Sequence, residues 1–373
     1  MAAPGGLSAP APPRGHAATA IRPFRMADLP AVAALRRRAF ARSERTRPGA
    51  LEAYLERMFL GHPFAEAGIA SLVAEDAAGR VVGFQGVVPA RMWYGARPLI
   101  AAVGTQLMVA PEARGLTGRA LARALFDGPQ DLTLSDVAND AARRLWEGLG
   151  GAPVPWLAES WTLALRPWRH RANRRVIAGA GRLARAALYG ARPALAVADR
   201  LAARPATLPA GLRFAPLDAD AMAAAADRLL GDYPLRPRYD APELRWRLHQ
   251  AAEKREFGAL EGAMVLGEEG VTGWFLYYRN DAGECEVVQG VAARRDEATL
   301  LEALAAHAWA RGGVALTGRL GPSLLGPLAA RRATLCHEGP SVVCQSRDAA
   351  IRGAVARGEL WLSRLDGEWW MSF

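Results

Sequence analysis

Apolar positions along the first half of the chain alternate between two spacings, and the alternation predicts its elements. Ile21-Arg-Pro-Phe-Arg-Met-Ala-Asp-Leu-Pro-Ala-Val reads as a short strand, a turn at Asp28, and a helix with Pro30 in its first turn that runs through Leu35 to Phe40. Leu51, Tyr54, Leu55, Met58 and Phe59 fall at helical spacing and predict a helix over Leu51 to Leu60. Strands are expected over Ala70 to Ala74 and Val81 to Val88, joined by a hairpin-like turn ending at Gly79, and over Leu99 to Val109, where Pro111 ends the run. A helix from Thr117 to Phe126, a strand over Leu132 to Ser135, a helix from Asp140 to Leu149 stopped by Gly150-Gly151, and a last strand over Trp161 to Leu165 complete this half.

Residues 166–208 change character to alanine-rich, basic helix, with Arg166, Arg169, Arg171, Arg174 and Arg175 near its start. A linker with solvated arginines is the expected reading, since aromatic anchors for a membrane surface are sparse after Trp168. The second half then begins like the first. Leu212-Arg-Phe-Ala-Pro-Leu-Asp echoes the start at Ile21, Gly270-Val-Thr-Gly-Trp-Phe echoes Arg80-Val-Val-Gly-Phe-Gln, and a strand over Glu284 to Val291 with a helix over Glu297 to Trp309 follows in the same order. The pattern is that of an internal duplication, shortened between strands in its second copy. Asp366-Gly367 predicts the turn of a final hairpin, Leu360 to Leu365 against Glu368 to Phe373.

Composition adds bounds. The 373 residues suit two domains, and with half of them hydrophobic each has material for a core. Residues 1–19, rich in Ala, Pro and Gly, are expected to be a disordered leader and not a secretory signal, because no basic start precedes an apolar run. The longest apolar stretch, Val176 to Val197, is broken by Arg182, Arg185 and Arg192, so no stable membrane insertion is expected. Three cysteines, Cys285, Cys336 and Cys344, all in the second half, argue for a reducing, cytoplasmic setting, and the scattered histidines and cysteines predict no metal site. The net charge of +10 rests on arginine, with Lys254 the single lysine; a basic chain attracts anions, whether nucleic acid, anionic lipid or phosphorylated cofactors, but charge spread along the chain singles out none of them, and no nucleic-acid partner is expected.

The chemistry concentrates in Leu107-Met-Val-Ala-Pro-Glu-Ala-Arg-Gly-Leu-Thr-Gly-Arg-Ala-Leu. A strand ending at Val109 turns through Arg114-Gly115-Leu116-Thr117-Gly118 directly into a helix. Such a turn aims successive backbone N–H groups at one place and adds the positive end of the helix, which suits a pyrophosphate. Glycine permits close approach and Arg114 supplies a charge-assisted bond. A second segment, Asn139-Asp-Ala-Ala-Arg-Arg-Leu-Trp-Glu-Gly-Leu-Gly-Gly, follows the next strand. Together the two resemble the GCN5-related N-acetyltransferase superfamily, whose motifs read V-x-P-x-x-R-G-x-G-x-G/A and N-x-x-A-x-x-L-Y-x-x-L-G-F. Val109, Pro111, Arg114 and Gly115 match the first; Asn139, Ala142, Leu145, Leu149 and Gly150 match the second.

The resemblance implies a mixed α/β fold of two tandem domains, each a central, mostly antiparallel sheet flanked by helices: residues 20–165 as the acyl-CoA-binding domain, 166–208 as the helical linker, and 209–373 as a second domain without a CoA site. It implies that backbone N–H groups over Gly115, Leu116, Thr117, Gly118 and Arg119 hold the CoA pyrophosphate. The strand end at Met108 and Val109 would pair with pantetheine and polarise the thioester carbonyl, and Asn139 would contact the pantetheine arm. The implied activity is direct transfer of acetyl, or another acyl group, from acyl-CoA to a small-molecule amine; the alternative is a non-catalytic CoA-binding sensor or scaffold. The chain departs from the family pattern at Thr117, at Arg119, and at Trp146, which stands for a tyrosine able to protonate the leaving thiolate. No general base is evident: Asp136 is the candidate, Thr105, Gln106 and Ser135 are alternatives, and each also reads as structural. In the second copy Arg295-Asp296-Glu297 replaces Arg114-Gly115, which disfavours an anion; that copy is left to shape the acceptor pocket or a homodimer. Arg236, Arg238, Tyr239 and the Leu244-Arg-Trp-Arg segment are candidates to face an anionic acceptor.

Overall fold

Two mostly antiparallel sheets flanked by helices carry the chain in a computed structural model that describes residues 20–39, 49–64, 66–177, 179, 181–202, 205–336 and 341–371. The leader expected over residues 1–19 lies outside the described residues. The chain divides into two units: one contains the chain up to Gly61 with Ala70–Val87 and Gln106–Gly128, the other His62–Ile69, Val88–Thr105 and everything from Pro129 onward.

The first unit holds β1 (Ala20–Pro23), α1 (Leu29–Ala39), α2 (Ala50–Phe59), β2 (Leu72–Glu75), the start of β3 (Val81–Tyr94), the end of β4 (Arg97–Val109) and α3 (Leu116–Phe126). β1, β2 and β3 pair antiparallel in that order. The helical spacing read in the sequence does its expected work, since Leu51, Tyr54, Leu55 and Met58 of α2 are all buried. Phe84 meets Phe24 and Phe59 edge to face at 5.2 and 5.4 Å. α3 lies close on β3 at Gly83, where a Cβ would stand 2.9 Å from Leu121 Cδ1 and 3.1 Å from Thr117 Cγ2.

The second unit continues with β5 (Leu132–Ala138), α4 (Asp140–Glu147), β6 (Ala152–Pro153), α5 (Pro155–Ala158), β7 (Ser160–Ala164) and the helices α6 (Pro167–Ile177), α7 (Arg182–Gly190) and α8 (Arg192–Ala202). Then come β8 (Arg213–Ala215), α9 (Ala219–Leu229), β9 (Leu235–Pro237), α10 (Ala241–Ala252), β10 (Ala259–Gly267), β11 (Gly270–Arg279), β12 (Glu284–Ala292) and α11 (Glu297–Ala310). β13 (Ala315–Arg319), α12 (Leu325–Ala330), β14 (Thr334–Cys336), β15 (Ser341–Gln345) and α13 (Ala349–Ala356) close the series. Seven strands form one sheet in the order β14-β7-β13-β12-β11-β10-β8, antiparallel except where β12 meets β13.

Strand β7, expected to finish the first half's sheet, instead pairs with β13, while β15 from the far end of the chain pairs antiparallel with β5. The halves thus exchange strands. Trp161 fixes the β7 placement: its ring lies over Gly318, where a Cβ would come within 2.7 Å of it, and its Nε1 donates to the Arg319 carbonyl at 3.0 Å. The helical stretch after β7 is anchored to the same sheet. Arg166 stacks over Trp309 at 3.9 Å, and Glu284 of β12 accepts from Asn173 and contacts His170. Arg171, Arg174 and Arg175 are exposed, as expected of a solvated linker face.

The predicted final hairpin does not form. Leu360 bridges to Leu235, Arg364 N–H donates to the Val288 carbonyl, and Trp369–Met371 is a single tight turn. A buried polar network holds this segment in place of a ladder. Asp366 accepts from Tyr239 Oη at 2.6 Å and from the Ser363 N–H at 3.0 Å, and faces Arg247 at 3.4 Å. Arg247 also binds Glu243 at 2.6 Å and the Leu365 carbonyl at 2.6 Å. Burial pushes the Glu243 carboxyl above its usual range, with Arg247 opposing it. One guanidinium therefore serves two buried carboxylates. Replacing Arg247 by Met should cost about 3–5 kcal/mol in denaturant unfolding, because both acids would be stranded. The loss should be larger at pH 8 than at pH 5, where protonation relieves the stranded carboxylates.

Candidate functional site

In the first unit β4 ends at Val109 and the Ala110 N–H is tied to the Val82 carbonyl at 2.8 Å. A tight turn over Pro111–Ala113 follows, then extended Arg114, then Gly115 at φ +101°, and α3 begins at the next residue. That φ explains glycine at position 115; among the described residues nothing lies within 4 Å of the place its Cβ would occupy. Gly115, at the N-cap position of α3, has no side chain with which to cap it. The N–H groups of the first turn of α3 carry the positive end of the helix, where a negative charge is stabilised. Arg114, Leu116 and Arg119 are exposed around this turn. Thr117, where the family pattern has glycine, is buried with its methyl against Gly83, so its bulk turns inward and leaves its backbone N–H at the helix end. Gly118 sits beside Val109 at an ordinary contact distance, and Met108 is buried in the strand.

Three residues earlier β4 departs from regular strand geometry. Gln106 has φ +49°, one of two non-glycine residues with positive φ among the described residues. Its side chain is clamped, accepting from Arg36 at 2.9 Å and donating to Tyr54 Oη at 2.5 Å. A left-handed residue inside a strand is a local kink, and this one is held by its side chain.

In the second unit the polar groups gather around β5. Pairing of β4 with β5 is parallel and spans Ala101↔Leu132 to Val103↔Leu134. Just past it, Thr105 and Ser135 both hydrogen-bond the carboxylate of Glu368, which also takes the Val137 N–H. Glu368 is buried, and burial together with the neighbouring Asp136 charge pushes its pKa up to about 7. Asp136 itself has little capacity left. It accepts from the N–H groups of Glu368 at 2.5 Å and Trp369 at 3.1 Å, and from Arg319 at 2.8 Å. The absence of a side chain at Gly367 lets that backbone close on the Asp136 carboxylate.

Asn139 caps α4 through its side-chain oxygen, which accepts from the Ala142 N–H at 2.9 Å, and it is exposed. Trp146 is buried, so the position expected to supply an acid is spent on packing. The arginine candidates of the second half are occupied too. Arg238 lies over Trp93 at 4.9 Å, Arg236 binds the Gly95 and Tyr233 carbonyls, and Tyr239 and Arg247 belong to the buried network. Glu368 was missed in the sequence because no motif flags it and it stands 233 positions from Ser135. Its signal is weak: an acid in the otherwise aromatic run Gly367-Glu-Trp-Trp-Met.

β12, the turn Arg294–Asp296 and α11 repeat the order of β4, its turn and α3. Here Glu297, first residue of the helix, buries its carboxyl, accepting from Tyr233 Oη at 2.6 Å and bonding Ser323. An internal acid thus sits at the helix end, with its pKa raised by burial. Among the described residues no cluster of three or more His, Cys, Asp or Glu could hold a metal, and no helix is long and apolar enough to cross a membrane.

No protein-family model matches the sequence, and a comparison with curated proteins finds no match either. Solved structures do match. A GCN5-related N-acetyltransferase from Kribbella flavida is 16% identical with a TM-score of 0.53, over 88% of this chain and 72% of that one. One from Anabaena variabilis is 12% identical with a TM-score of 0.56, over 88% and 73%. A probable N-acyltransferase from Enterococcus faecalis is 13% identical with a TM-score of 0.56, over 88% and 72%. With its two mostly antiparallel sheets, its kinked fourth strand and the turn at Gly115 into α3, the chain has the fold of the GCN5-related N-acetyltransferases.

Proposed function

We propose that the chain is an acyl-CoA-dependent N-acyltransferase that moves acetyl, or a related acyl group, to a small-molecule amine. The observation that carries this reading is the turn of β4 into α3 through Gly115 at φ +101°, a residue with no side chain to cap the helix. The solved structures of the same fold named above are N-acetyltransferases and a probable N-acyltransferase. In this reading the N–H groups of residues 115–119 bind the pyrophosphate, with Arg114 adding charge, and the strand end at Met108 and Val109 meets the pantetheine. Asn139 spends its side-chain oxygen on the cap of α4 and is exposed there. In the second half the acid Glu297 at the start of α11 works against a second CoA site.

The acceptor amine attacks the thioester carbon, the C–N bond forms and the C–S bond breaks. The amine loses a proton and the departing thiolate gains one from water. Glu368 is the residue proposed to take the amine's proton, in place of Asp136, whose oxygens are committed to Arg319 and to two backbone N–H groups. A carboxylate with a pKa of about 7 is half ionised at neutral pH and accepts protons more readily than an ordinary one.

Replacing Gly115 by Val forces a β-branched residue into glycine-only backbone and puts bulk in the open space. Calorimetric titration should show CoA affinity falling by about 100-fold or more, with the fold retained. Unchanged affinity would mean that the anion turn is misassigned. Glu368→Gln keeps the shape of the protonated side chain and should lower kcat by about 10²–10⁴-fold. In the unaltered protein kcat/KM should rise with pH through about 7, and this limb should vanish in the variant. The sign for stability is the reverse. The folded-state pKa lies above the ordinary 4.5, so Glu368 weakens folding as pH climbs from there through about 7. Thermal melts should therefore show Glu368→Gln gaining on the unaltered protein at pH 8 relative to pH 5.

A further inference from the structure

The arginines are spread along the chain, but the net charge is not. Residues 166–208 hold ten arginines against one acid, Asp199, and so account for nine of the ten net positive charges. That acid is turned inward. Asp199 is buried, accepting from the Trp168 N–H at 2.8 Å and from Arg169 Nε at 2.9 Å, so it screens nothing on the outside. Arg166 is drawn inward too, donating to the Trp309 carbonyl at 2.9 Å. Arg171, Arg174, Arg175 and Arg200 are exposed, and no acid among the described residues pairs with any of them.

Exposed arginines alone suit a solvated linker; the aliphatic side chains among them do not. Leu183 of α7 is 89% exposed and Leu201 of α8 is 86% exposed. Val197 stands one turn before Leu201 on the same face of α8 and is 54% exposed. The three helices touch one another, and they share an inner side. Ala172, Asn173 and Val176 of α6, Leu188 of α7, and Leu195 and Ala196 of α8 line one cavity against the turn between β11 and β12. At 3.6 residues per turn, Arg171 and Arg174 of α6, Leu183 of α7, and Val197 and Leu201 of α8 fall away from those inner positions. Bare leucine and unpaired guanidinium groups therefore share the outside of one helical cluster.

This pairing of chemistries selects the partner. Nucleic acid offers phosphates to the arginines but no apolar bed for the leucines. An anionic bilayer offers both, with headgroup phosphates above and the start of the acyl chains below. Arginine's long stem lets its charge stay among the headgroups while a neighbouring leucine goes deeper. The nine residues of α7 and the eleven of α8 suit helices that lie on such a surface, since crossing the hydrocarbon takes about 20.

We infer that the outer side of α6, α7 and α8 docks the protein reversibly on an anionic lipid surface. Leu183, Val197 and Leu201 enter the interface, and Arg171, Arg174 and Arg175 meet the headgroups. The inference is independent of the acyltransferase reading.

The test is co-sedimentation of the full chain with vesicles of phosphatidylcholine alone and of phosphatidylcholine with an equal part of phosphatidylglycerol. The anionic vesicles should bind at least tenfold more tightly, and added salt should weaken that binding. Leu183→Gln with Leu201→Gln leaves every charge in place and alters only exposed positions; it should weaken binding to the anionic vesicles tenfold or more. Arg171→Gln with Arg174→Gln should weaken it as well and reduce its dependence on salt. No binding to anionic vesicles, equal binding to the neutral ones, or binding that the leucine replacements leave unchanged would each overturn the inference. Duplex DNA that binds as tightly as the anionic vesicles, and is indifferent to the leucine replacements, would overturn it in favour of nucleic acid.

Discussion

The buried carboxylate of Asp136 is the point on which the second unit's polar architecture turns. A charge at this depth persists only if every oxygen is matched, and here the partners come from far along the chain: the guanidinium of Arg319 and the N–H groups of residues 368 and 369. Gly367 makes the approach feasible, since any side chain there would collide with the carboxylate. Three consequences follow from one acid. The C-terminal segment is drawn against β5, Arg319 is fixed in place, and the Glu368 carboxyl is carried to Thr105 and Ser135. Burial is the main reason the Glu368 pKa climbs to about 7, and the neighbouring Asp136 charge raises it further, so the same residue positions that carboxyl and adds to its shift.

This arrangement marks the boundary of what was legible in the sequence. Periodicity revealed the helices and most strands because local spacing decides them: the apolar stripe of α2 and the long run of β4 announce themselves. The turn at Gly115 was legible for the same reason, as its geometry is written within about ten consecutive residues. What stayed hidden depends on partners more than a hundred positions apart. Trp161-Thr-Leu reads as a strand wherever it pairs, and nothing local says that Gly318 on β13 has cleared room for its indole. Asp366-Gly367 looks like a hairpin turn by composition, yet Asp366 is consumed by Tyr239, Ser363 and Arg247, leaving no ladder for a hairpin to join. Asp136 was visible as an acid at a strand end, but its commitment to structure depends on Arg319 and on residues 367–369.

Thr117 shows how a departure from a motif can be absorbed. The concern raised by a bulkier residue in an anion turn assumes that its side chain competes with the ligand. Here the threonine rotates its methyl toward Gly83, so the missing side chain on β3 compensates for the added one on α3. Trp146 is the opposite case. Its burial removes it from chemistry altogether, and a reaction run by this fold without that donor must rely on the thiolate's own stability as a leaving group or on water.

The duplicated halves make the physics of the anion turn explicit. Both place a strand, a short turn and a helix in the same order, so both possess the partial positive charge of a helix start. In the first copy the helix starts behind a glycine, in a conformation closed to other residues and with no side chain of its own to cap the end. In the second, Glu297 supplies an acid from within, sealed by Tyr233 and Ser323. Binding a phosphorylated ligand there would require expelling or stacking charge against a buried acid. What differs between the copies is the residue at the helix start, a glycine at φ +101° in the first and a buried acid in the second, so only the second sets a negative group of its own against an incoming anion.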